Sequence, residues 1–594
     1  MNIRFDQSGF SFDPFGQKEE FHREQYRTEP KPARSPLAAA IPALPLTLIF
    51  GAVWFYVRIP AINIQSGSFW SMLALLCLVY TALFALFGGF RTGEAETIGS
   101  CIKKRAKLPA CLILLIILIT VIGSAAGWVL FRASAYAKLL PFESGDFASE
   151  VEEVQWDQIP MLDSASANTL ATRKLGELSD LVSQFEVDSN SAQINYQDTP
   201  VRVTYLNYGD VIKWWKNKSD GIPAYIVTDM QTQAVSVVRL EDGIRYSPSE
   251  LFNRDIDRHL RFCFPTALFG DVNFEIDEDG TPWWVASVEK KTIGLFGGTD
   301  VKGAVLCNAI TGEATYYDVA DVPSWVDRVY DADLLTEQYN YYGMYHNGFI
   351  NSIFGQTECT VTTTGYNYIA MDDDVWLYTG ITSVGGDESN IGFILVNQRT
   401  KQASYYSCAG AEEYSGMASA EGAVQQYSYT ATFPLLLNIG GEPTYFMALK
   451  DASQLVKMYA MVNVHEYQIV ATGSNVEACL ANYQTLLVEN GILTEADTQP
   501  SETEKETPLQ ELNGTITDIR QTVIDGNTLL YFELDSQGVY YAITAADAPE
   551  AVLLNTGDQV TVTFATETDG TLVYIDSIAP AEDTEEEPAR AETE

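Results

Sequence analysis

Three long apolar segments near the N-terminus constrain this chain most, because a water-soluble domain rarely contains apolar segments of this length. The segments are PLAAAIPALPLTLIFGAVWFYV, FWSMLALLCLVYTALFALFGGF and LPACLILLIILITVIGSAAGWVLF, at Pro36–Val57, Phe69–Phe90 and Leu108–Phe131. Each could form a helix that crosses the roughly 30 Å hydrocarbon core of a bilayer. None contains Asp, Glu, Lys, Arg or His. The sequence therefore predicts three transmembrane helices within residues 36–132, with the lipid bilayer as a partner.

Basic residues are distributed unevenly around these segments, and their distribution predicts the orientation. The tail at residues 1–35 and the loop between the second and third segments are both rich in Lys and Arg, whereas the loop between the first two segments carries only Arg58. The basic residues are Arg4, Lys18, Arg23, Arg27, Lys31 and Arg34 in the tail, and Arg91, Lys103, Lys104, Arg105 and Lys107 in the loop. Positively charged loops stay in the cytoplasm. We therefore expect a cytoplasmic N-terminus, with the residues after about 132 outside the cytoplasm.

The three segments contain no charged side chain, which favours a membrane anchor over a transporter or a channel. The tail that precedes them mixes aromatic and polar residues and is predicted to be a solvated cytoplasmic tail. Its aromatic residues could instead bind a cytoplasmic partner. These residues are Phe5, Phe10, Phe12, Phe15, Phe21 and Tyr26.

The remainder of the chain is strongly acidic. Residues 133–594 contain 23 Lys and Arg residues against 71 Asp and Glu residues. Such a surplus of negative charge repels phosphate-rich polymers, so nucleic acid is not expected as a partner. The four histidines and eight cysteines show neither metal-ligand spacing nor a C-x-x-C pair, and no phosphate-binding or dinucleotide motif has its required context. We therefore predict no cofactor and no metal.

The acidic part divides into segments of different sequence character. Leucines at helical spacing predict a helical segment at 133–200, whereas runs typical of strands dominate 201–495. A charged, proline-containing linker at 496–511 precedes a compact β segment at 512–580. The chain ends in an acidic tail, 581–594. We expect several folded units rather than one core, because the chain has 594 residues.

A pattern of strands recurs about four times within residues 201–495. Each copy begins at a glycine or acidic turn, continues into an aromatic-rich strand and leads to a second apolar strand. The copies are Gly221–Glu250, Asp279–Val319, Asp373–Cys408 and Gly441–Thr472. Stretches with helical character lie between them. The predicted repeat is one helix followed by a three-stranded antiparallel meander.

Five alternating strands are predicted between Leu512 and Ile578, a number and length typical of a small OB-like barrel. Arg520 is the only basic residue of this segment, which disfavours a ligand that carries phosphate. The predicted fold class is therefore membrane-anchored α+β. It has three transmembrane helices, repeated helix-plus-meander modules and a C-terminal OB-like β-barrel.

Two resemblances extend these predictions. The helix-plus-meander unit resembles the PepSY-type module, whose hairpin carries a T-G-E-like turn, and Thr311–Glu313 matches that turn best. This resemblance implies an extracytoplasmic binding or peptidase-regulating module rather than an enzyme. The stretches YVRIPAINIQS, PVRVTYLNYGDVIKWWKN, GLFGGTDVKGAVL and TTTGYNYIAMDDDVWLYTG are similar to an uncharacterised family of multi-pass membrane proteins from Gram-positive-type bacteria. This second resemblance implies a location in the bacterial cell membrane.

The first acidic cluster is a weak candidate for a metal site. Glu275, Asp277 and Asp279 alternate along the chain, as acidic residues do at the start of an EF-hand calcium loop. Ala286 occupies the twelfth position, where a bidentate Glu is required. Turns favour Asp and Gly at such places for conformational reasons, and we interpret this cluster as a turn.

The second acidic cluster consists of Asp372, Asp373 and Asp374. Paired carboxylates are the catalytic groups of most glycoside hydrolases, so this cluster is the candidate catalytic site of a hydrolase hypothesis. The cluster lies at the same turn of the predicted meander as the first one. Turn chemistry again offers the simpler explanation.

Three pairs of adjacent aromatic residues are candidate binding surfaces. Neighbouring residues of a strand point to opposite faces of the sheet. One ring of each pair could therefore lie in the core while the other lines a binding surface. The pairs are Trp214 and Trp215, Trp283 and Trp284, and Tyr405 and Tyr406.

These observations predict a non-catalytic cell-envelope protein. Its membrane-tethered, extracytoplasmic modules would bind or regulate an unidentified protein or cell-wall polymer. One alternative is an envelope hydrolase that uses Asp372–Asp374, and another is a structural scaffold. The sequence does not identify the ligand or the oligomeric state.

Overall fold

The computed structural model describes most of the chain between residues 36 and 580. The described ranges are 36–89, 107–153, 159–197, 199–371, 374–385, 389–494, 510–524, 527–535, 538–545, 548–564, 572–575 and 577–580. The predictions for the N-terminal tail, the linker and the acidic tail fall outside these ranges. The chain forms two compact units, residues 1–494 and 495–594. The predicted mixture of helices and antiparallel sheets is confirmed.

Three apolar helices open the first unit: α1 (Pro36–Arg58), α2 (Gly67–Gly89) and α3 (Lys107–Ala126). Among the described residues, α2 and α3 are long and apolar enough to cross a membrane, and few of their residues are buried. The apolar stretch found in α1, Pro42–Arg58, is shorter. Two apolar helices near the N-terminus thus fit a membrane anchor, whereas the predicted third crossing is not confirmed.

The helices that follow α3 are shorter, and four of them precede the four sheets described below. We call residues 129–494 the outer part of the first unit. In chain order the helices are α4 (Val129–Tyr136), α5 (Phe147–Glu150), α6 (Ser164–Gly176), α7 (Ser179–Val182), α8 (Val211–Asn217), α9 (Ile256–Cys263), α10 (Ala332–Tyr345), α11 (Glu413–Ala423) and α12 (Val476–Glu489). The helices α6, α9, α10 and α11 precede the meanders of sheets 1, 2, 3 and 4 respectively. Side chains of Asp163, Asp255 and Asp331 accept backbone hydrogen bonds at the starts of α6, α9 and α10, as N-cap residues do.

Four sheets make up the outer part of the first unit, and their strands pair antiparallel except where β1 pairs with β15. Sheet 1 contains β2 (Phe185–Val187), β3 (Ala192–Tyr196), β4 (Thr199–Tyr208), β5 (Ile222–Asp229) and β6 (Val235–Ile244). Sheet 2 contains β7 (Leu268–Ile276), β8 (Pro282–Ile293), β9 (Gly297–Asn308) and β10 (Ala314–Asp318). Sheet 3 contains β1 (Glu143–Gly145), β11 (Thr360–Thr362), β12 (Asn367–Met371), β13 (Asp374–Ser383), β14 (Ser389–Asn397) and β15 (Ala403–Ala411). Sheet 4 contains β16 (Thr430–Ala431), β17 (Leu435–Ile439), β18 (Glu442–Lys450), β19 (Val456–Asn463) and β20 (Val470–Gly473).

Strands begin earlier than the sequence patterns indicate. The segment 133–200, predicted to be helical, also contains β1, β2 and β3, and each sheet has at least one strand beyond a three-stranded meander. The sequence prediction missed these strands because they are short and partly polar. They are held by pairing with a longer strand, as β3 is by β4.

Sheets 2 and 3 are buried on both faces. Trp284 of β8 packs in a core shared with sheet 1, where its ring centroid lies 4.9 Å from that of Tyr205. The next residue, Val285, points into a different core, which sheets 2 and 3 share with α10. In sheet 3, Leu377 faces this second core, whereas Tyr378 faces a third core shared with sheet 4. The four sheets are therefore joined in sequence by three separate cores.

The second unit is a six-stranded sheet with its own core. Its strands are β21 (Gln510–Ile524), β22 (Asn527–Leu534), β23 (Tyr540–Thr544), β24 (Gln559–Phe564), β25 (Leu572–Tyr574) and β26 (Ser577–Pro580). The hydrogen-bonded order is β25-β23-β22-β21-β24-β26. The path is open among the described residues, so the predicted closed barrel is not seen.

The outer part of the first unit is hydrogen-bonded to the link between α1 and α2. Arg258 and Arg261 of α9 donate from Nε to the carbonyl oxygens of Tyr56 and Ile59, at 3.1 and 3.0 Å. The backbone of Ile62 donates to the carbonyl of Pro265 at 2.7 Å. The carbonyl groups at the end of a helix lack intrahelical partners, so these arginines satisfy acceptors that would otherwise need water.

A second junction joins the β8–β9 hairpin to the end of α3. The segment GLFGG at Gly294–Gly298 forms the hairpin turn, and a Cβ atom placed on Gly294 would lie 2.6 Å from the Cα of Gly127. Gly294 has a φ of +65°, which L side chains adopt only with strain. A Cβ atom placed on Gly123 would lie 3.0 Å from the Cβ of Leu295. The glycines therefore allow the hairpin to pack closely against α3.

This packing predicts a specific crosslink. We expect the double variant Gly123→Cys/Leu295→Cys to form an intramolecular disulfide in membranes under mild oxidation. The two Cβ atoms start 3.0 Å apart, so a small outward shift brings them to the roughly 3.5–4.5 Å that a disulfide needs. Mass spectrometry of the digested chain would identify the joined peptides. The pair Gly123→Cys/Gly422→Cys is the control, because no atom lies within 4 Å of a Cβ placed on Gly422. Equal yields from the two pairs would contradict the packing of the hairpin against α3.

Candidate functional site

Of the cluster proposed for hydrolysis, the structure describes only Asp374. Asp372 and Asp373 lie outside the described residues. Asp374 is 5% exposed and accepts two hydrogen bonds from Arg399, at 2.6 and 2.7 Å, and one from Asn397 at 2.7 Å. Because both carboxylate oxygens of Asp374 are engaged by a charged partner, this residue stabilises a turn and is poorly placed to act on a substrate.

The weak metal candidates also have separate roles. Glu275 is fully buried and accepts backbone hydrogen bonds from Asp327 and Arg328, at 3.0 and 3.2 Å. Burial raises its pKa to about 7. Asp277 accepts hydrogen bonds from the backbone of its own turn and from Trp283 Nε1, whereas Asp279 is exposed. The three carboxylates do not converge. Among the described residues, no group of three His, Cys, Asp or Glu side chains is arranged to hold a metal ion.

The first aromatic pair lies on a helix, so the prediction that it lies on a strand is wrong. Trp214 and Trp215 belong to the helix α8, where Trp214 is buried and donates from Nε1 to Glu250 at 2.8 Å. Trp215 is 65% exposed. The sequence VIKWWKN combines β-branched and aromatic residues that favour strands, but the N-cap residue Asp210 and the following turn make it a helix.

The other two pairs lie on strands and contribute mainly to the cores. Trp284 and Tyr406 are buried, whereas Trp283 and Tyr405 are partly buried. The ring centroid of Trp283 lies 5.8 Å from that of Trp325, and Tyr405 lies 6.0 Å from Phe142. Neither partly buried ring is presented as an open binding surface.

The structure instead shows three cavities of about 390, 380 and 430 Å³, of which the second and third lie along α10. Asp271 lines both the first and the second, and Asp333 and Glu337 line both the second and the third. We call the three together the α10 cleft. The first cavity is polar, the second is acidic and the third is walled by tyrosines. Representative lining residues are Ser164, Asn190, Ser191, Asn273 and Arg328 in the first, Asp271, Glu289, Lys291, Asp331 and Asp333 in the second, and Glu337, Asn340, Tyr341 and Tyr345 in the third.

One face of α10 supplies a regular stripe to this cleft. Asp333, Glu337, Tyr341 and Tyr345 are spaced four residues apart, so they lie above one another on the helix. The opposite face of the helix packs into the core shared by sheets 2 and 3, where Leu335 is fully buried. The stripe is visible in the sequence DADLLTEQYNYYGMY and is the signal that could have identified the site.

Two carboxyl groups lie close together in the acidic cavity. Asp271 lies at an irregularity in the pairing of β7 with β8, and bulges of this kind redirect side chains. Asp331 caps the start of α10 by accepting from the backbone of Asp333. Burial and the nearby charge of Asp271 raise the pKa of Asp331 to about 6. The carboxyl group of Asp331 therefore keeps its proton to a higher pH than an ordinary aspartate does.

The remaining charges of this cavity are mostly negative. Lys291 donates to Glu289 at 3.2 Å and to Thr299 at 2.8 Å, so these two charges offset each other. Glu337 accepts from the hydroxyl of Tyr341 at 2.7 Å. Asp333 adds a further exposed carboxylate. The middle of the cleft is therefore suited to a cationic group.

The first cavity has one basic lining residue, Arg328. The guanidinium of Arg328 lies 4.8 Å from the ring centroid of Tyr368 and donates to its hydroxyl. Burial and the nearby charge of Arg328 lower the pKa of the buried Arg202 to about 10. The α10 cleft thus changes from polar to acidic to aromatic from the first cavity to the third.

Comparison with known proteins adds no relative to this description. No protein-family model matches the chain, and no curated protein matches it.

The raised pKa of Asp331 predicts a pH-dependent stability. A carboxyl whose folded-state pKa is raised, here from 3.8 to about 6, stabilises the fold below about pH 4 and loses that contribution as pH rises through about 6. Asp331→Asn keeps the helix cap and cannot titrate. We expect the melting temperature of the variant, relative to wild type, to rise between pH 4 and 7. Parallel curves for the two proteins in detergent would contradict a raised pKa at Asp331.

Proposed function

We propose that this protein is a non-catalytic, membrane-anchored binding protein whose outer part holds a cationic segment of an extracytoplasmic protein or cell-wall polymer. The observation that carries the proposal is the acidic stripe that α10 presents to an open cleft. A cleft lined by one sign of charge concentrates ligands of the opposite sign. The net charge of −43 strengthens this attraction.

The proposed anchor consists of three crossings, with the N-terminus in the cytoplasm and residues after about 132 outside the bacterial cell. Three observations support it. The helices α2 and α3 are apolar and exposed, α1 extends over 23 residues beside them, and the basic residues concentrate in the tail and the second loop. An odd number of crossings then separates the tail from the outer part.

The junctions with α1 and α3 support a binding role for a cleft of fixed orientation. The ring of Tyr341, in the cleft wall, lies 4.7 Å from the ring of Tyr136 in α4. The hydroxyl of Tyr136 donates to the carbonyl of Gly127 at the end of α3. The aromatic end of the cleft is therefore connected directly to a proposed membrane helix. We propose that this end lies near the membrane.

We also propose that the four helix-plus-sheet units are copies of one PepSY-like module. The position of one helix before each meander supports this, as does the turn Asn308–Glu313, in which Gly312 adopts a φ of +78°. The similarity to the uncharacterised multi-pass family of Gram-positive-type bacteria belongs to the same proposal.

The second unit is proposed to be an OB-like barrel. The parallel pairing of β25 with β23 and the antiparallel pairing of β26 with β24 support it. These two short strands follow one another in the chain. They could therefore be halves of a single fifth strand that joins the two ends of the sheet.

The charge of the cleft is testable by binding. A fluorescently labelled deca-lysine peptide should bind the full chain in detergent, and Asp333→Asn/Glu337→Gln should weaken binding about tenfold at low salt, a loss of about 1.4 kcal/mol. Fluorescence polarisation measures the affinity. Deca-glutamate, a peptide of the same length and opposite charge, tests whether binding requires a cationic ligand.

The matched control also removes two negative charges, but at residues outside the cleft. Glu241→Gln/Asp242→Asn changes two exposed acidic residues of β6, outside the cleft. We expect this control to retain nearly all of the affinity. Equal losses from the two double variants would show that the peptide responds only to net charge and would reject the cleft as the site.

A second candidate function is hydrolysis of a cell-wall polymer, now centred on Asp271 and Asp331. The raised pKa of Asp331 beside a second carboxyl favours it, because glycoside hydrolases pair an acid with a carboxylate in this way. This function predicts turnover of purified cell-wall polymer by the full chain, abolished in Asp331→Asn and in Asp271→Asn. Release of soluble fragments measures it. If the wild-type chain binds deca-lysine but releases no fragments, hydrolysis is rejected and binding is retained as the function.

A further inference from the structure

Exposed apolar side chains in the outer part of the first unit are concentrated in a few places. Among the described residues of 137–494, the large apolar residues that are at least one-third exposed fall mainly into two groups. The first group is Val211, Ile212, Trp215, Leu251, Phe252 and Phe262, and the second is Ile350, Ile353 and Phe354. Only Val182, Tyr414, Tyr427 and Tyr467 lie elsewhere. Such concentrated exposure indicates an interaction surface.

The first group is continuous with the end of α1. The ring of Phe262 lies 5.7 Å from Phe55 and 6.1 Å from Tyr56, both in the last turn of α1. On the far side, the ring of Phe252 lies 6.2 Å from Trp214 in α8. Between these two sets of ring contacts, the hydroxyl of Tyr56 donates to the side chain of Asn253, next to Phe252, at 3.3 Å. The end of α1 is therefore connected to α8 through Phe252 and Phe262. We call the exposed residues Val211, Ile212, Trp215, Phe252 and Phe262 the α8 face.

Basic residues surround this apolar surface, although the outer part as a whole is strongly acidic. Lys213, Lys216 and Lys218 lie on or next to α8, and Lys213 is paired with the N-cap residue Asp210 at 3.6 Å. The Nζ of Lys218 lies 3.4 Å from the ring centroid of Trp215, so the ammonium group stays beside the exposed ring. Tryptophan and lysine are the residues that occupy the interface between hydrocarbon and lipid headgroups.

The second group is connected to the end of α3 in a similar way. Trp128 and Phe131, at the start of α4, are 56% and 68% exposed. The helix α10 packs on α4 and continues, through a ring contact of 6.3 Å between Tyr345 and Phe349, towards Phe354, which is 84% exposed. Exposed apolar residues thus lie beside the outer ends of two apolar helices.

We propose that the α8 face is seated on the outer leaflet of the bilayer, with Ile212 and Trp215 among the lipid headgroups and the lysines of α8 beside lipid phosphates. The inference rests on the membrane anchor of the proposed function. A lipid surface is the occupant because the α8 face joins directly to the end of α1. It also carries a positive charge that complements anionic lipid and contrasts with the rest of the outer part. Its mixture of aliphatic, aromatic and lysine side chains is that of an interfacial helix.

The test places a fluorescent probe on the α8 face of the full chain. Ile212→Cys, labelled with an environment-sensitive nitrobenzoxadiazole dye, is reconstituted into vesicles of phosphatidylethanolamine and phosphatidylglycerol that contain a spin-labelled quencher lipid. Tyr427→Cys is the matched control, because Tyr427 is 54% exposed and lies in neither group. Cys263, the exposed outer cysteine, is replaced by Ser in both. Quenching at position 212 should exceed that at position 427 at least twofold.

A charge variant tests the role of the lysines. Lys213→Gln/Lys216→Gln should reduce quenching at position 212 in vesicles with phosphatidylglycerol, with little change in purely zwitterionic vesicles. Lys216 is exposed and Lys213 is partly exposed, and neither substitution touches Trp214 or its hydrogen bond to Glu250.

Vesicle flotation separates the two ways in which the proposal could fail. A chain that does not float with the vesicles would reject the anchor and this inference together. A chain that floats but shows equally low quenching at positions 212 and 427 would reject only the seating of the α8 face. Binding of deca-lysine by that chain would leave the proposed function intact.

Discussion

The structure of the outer part depends on sheets that are buried on both faces. Adjacent residues of a strand point in opposite directions, so Trp284 and Val285 enter two different cores, and Leu377 and Tyr378 do the same one sheet further along. Large apolar side chains must then occupy consecutive positions of these strands. The resulting stack joins four small sheets that would each be marginal alone.

The position of the cleft follows from this stack. The helix α10 fills the space between sheets 2 and 3 with Leu335 and Tyr339, which fixes its rotation about its own axis. Its other face then has to carry Asp333, Glu337, Tyr341 and Tyr345 to the surface. The capping residue Asp331 meets Asp271 of sheet 2 at the same place. The core that stabilises the outer part also determines which charges line the cleft.

The contacts with the apolar helices extend this rigidity towards the proposed membrane. Side-chain donors from Arg258 and Arg261 satisfy carbonyl groups at the end of α1, and glycines permit the close approach of a hairpin to α3. An anchor that served only as a tether would need neither junction. Two attachments at separate helices restrict rotation of the outer part, which gives the α8 face and the aromatic end of the cleft defined positions.

Much of the fold could be predicted because it depends on local patterns. The apolar segments, the runs of β-branched and aromatic residues and the turns at Gly280 and Gly312 follow from local composition and backbone conformation. The short strands β1 to β3 could not be predicted in this way, because each is stabilised by pairing with a longer strand: β2 and β3 with β4, and β1 with the distant β15. The helix α8 was predicted to be a strand because its residues favour strands. Its capping residue and its packing on Glu250 outweigh that preference.

The candidate site was likewise predictable from the sequence only in part. The sequence by itself determined the apolar helices near the N-terminus, the acidic outer part and the α+β class, since each depends on composition and on spacing along the chain. Only the tertiary structure decided that Asp374 pairs with Arg399 and that Asp271 meets Asp331, because those partners are 25 and 60 residues apart in the chain. The stripe of Asp333, Glu337, Tyr341 and Tyr345 on α10 depends on both the sequence and the tertiary structure. Its spacing is written in the sequence, but its significance depends on which face of the helix the stacked sheets bury.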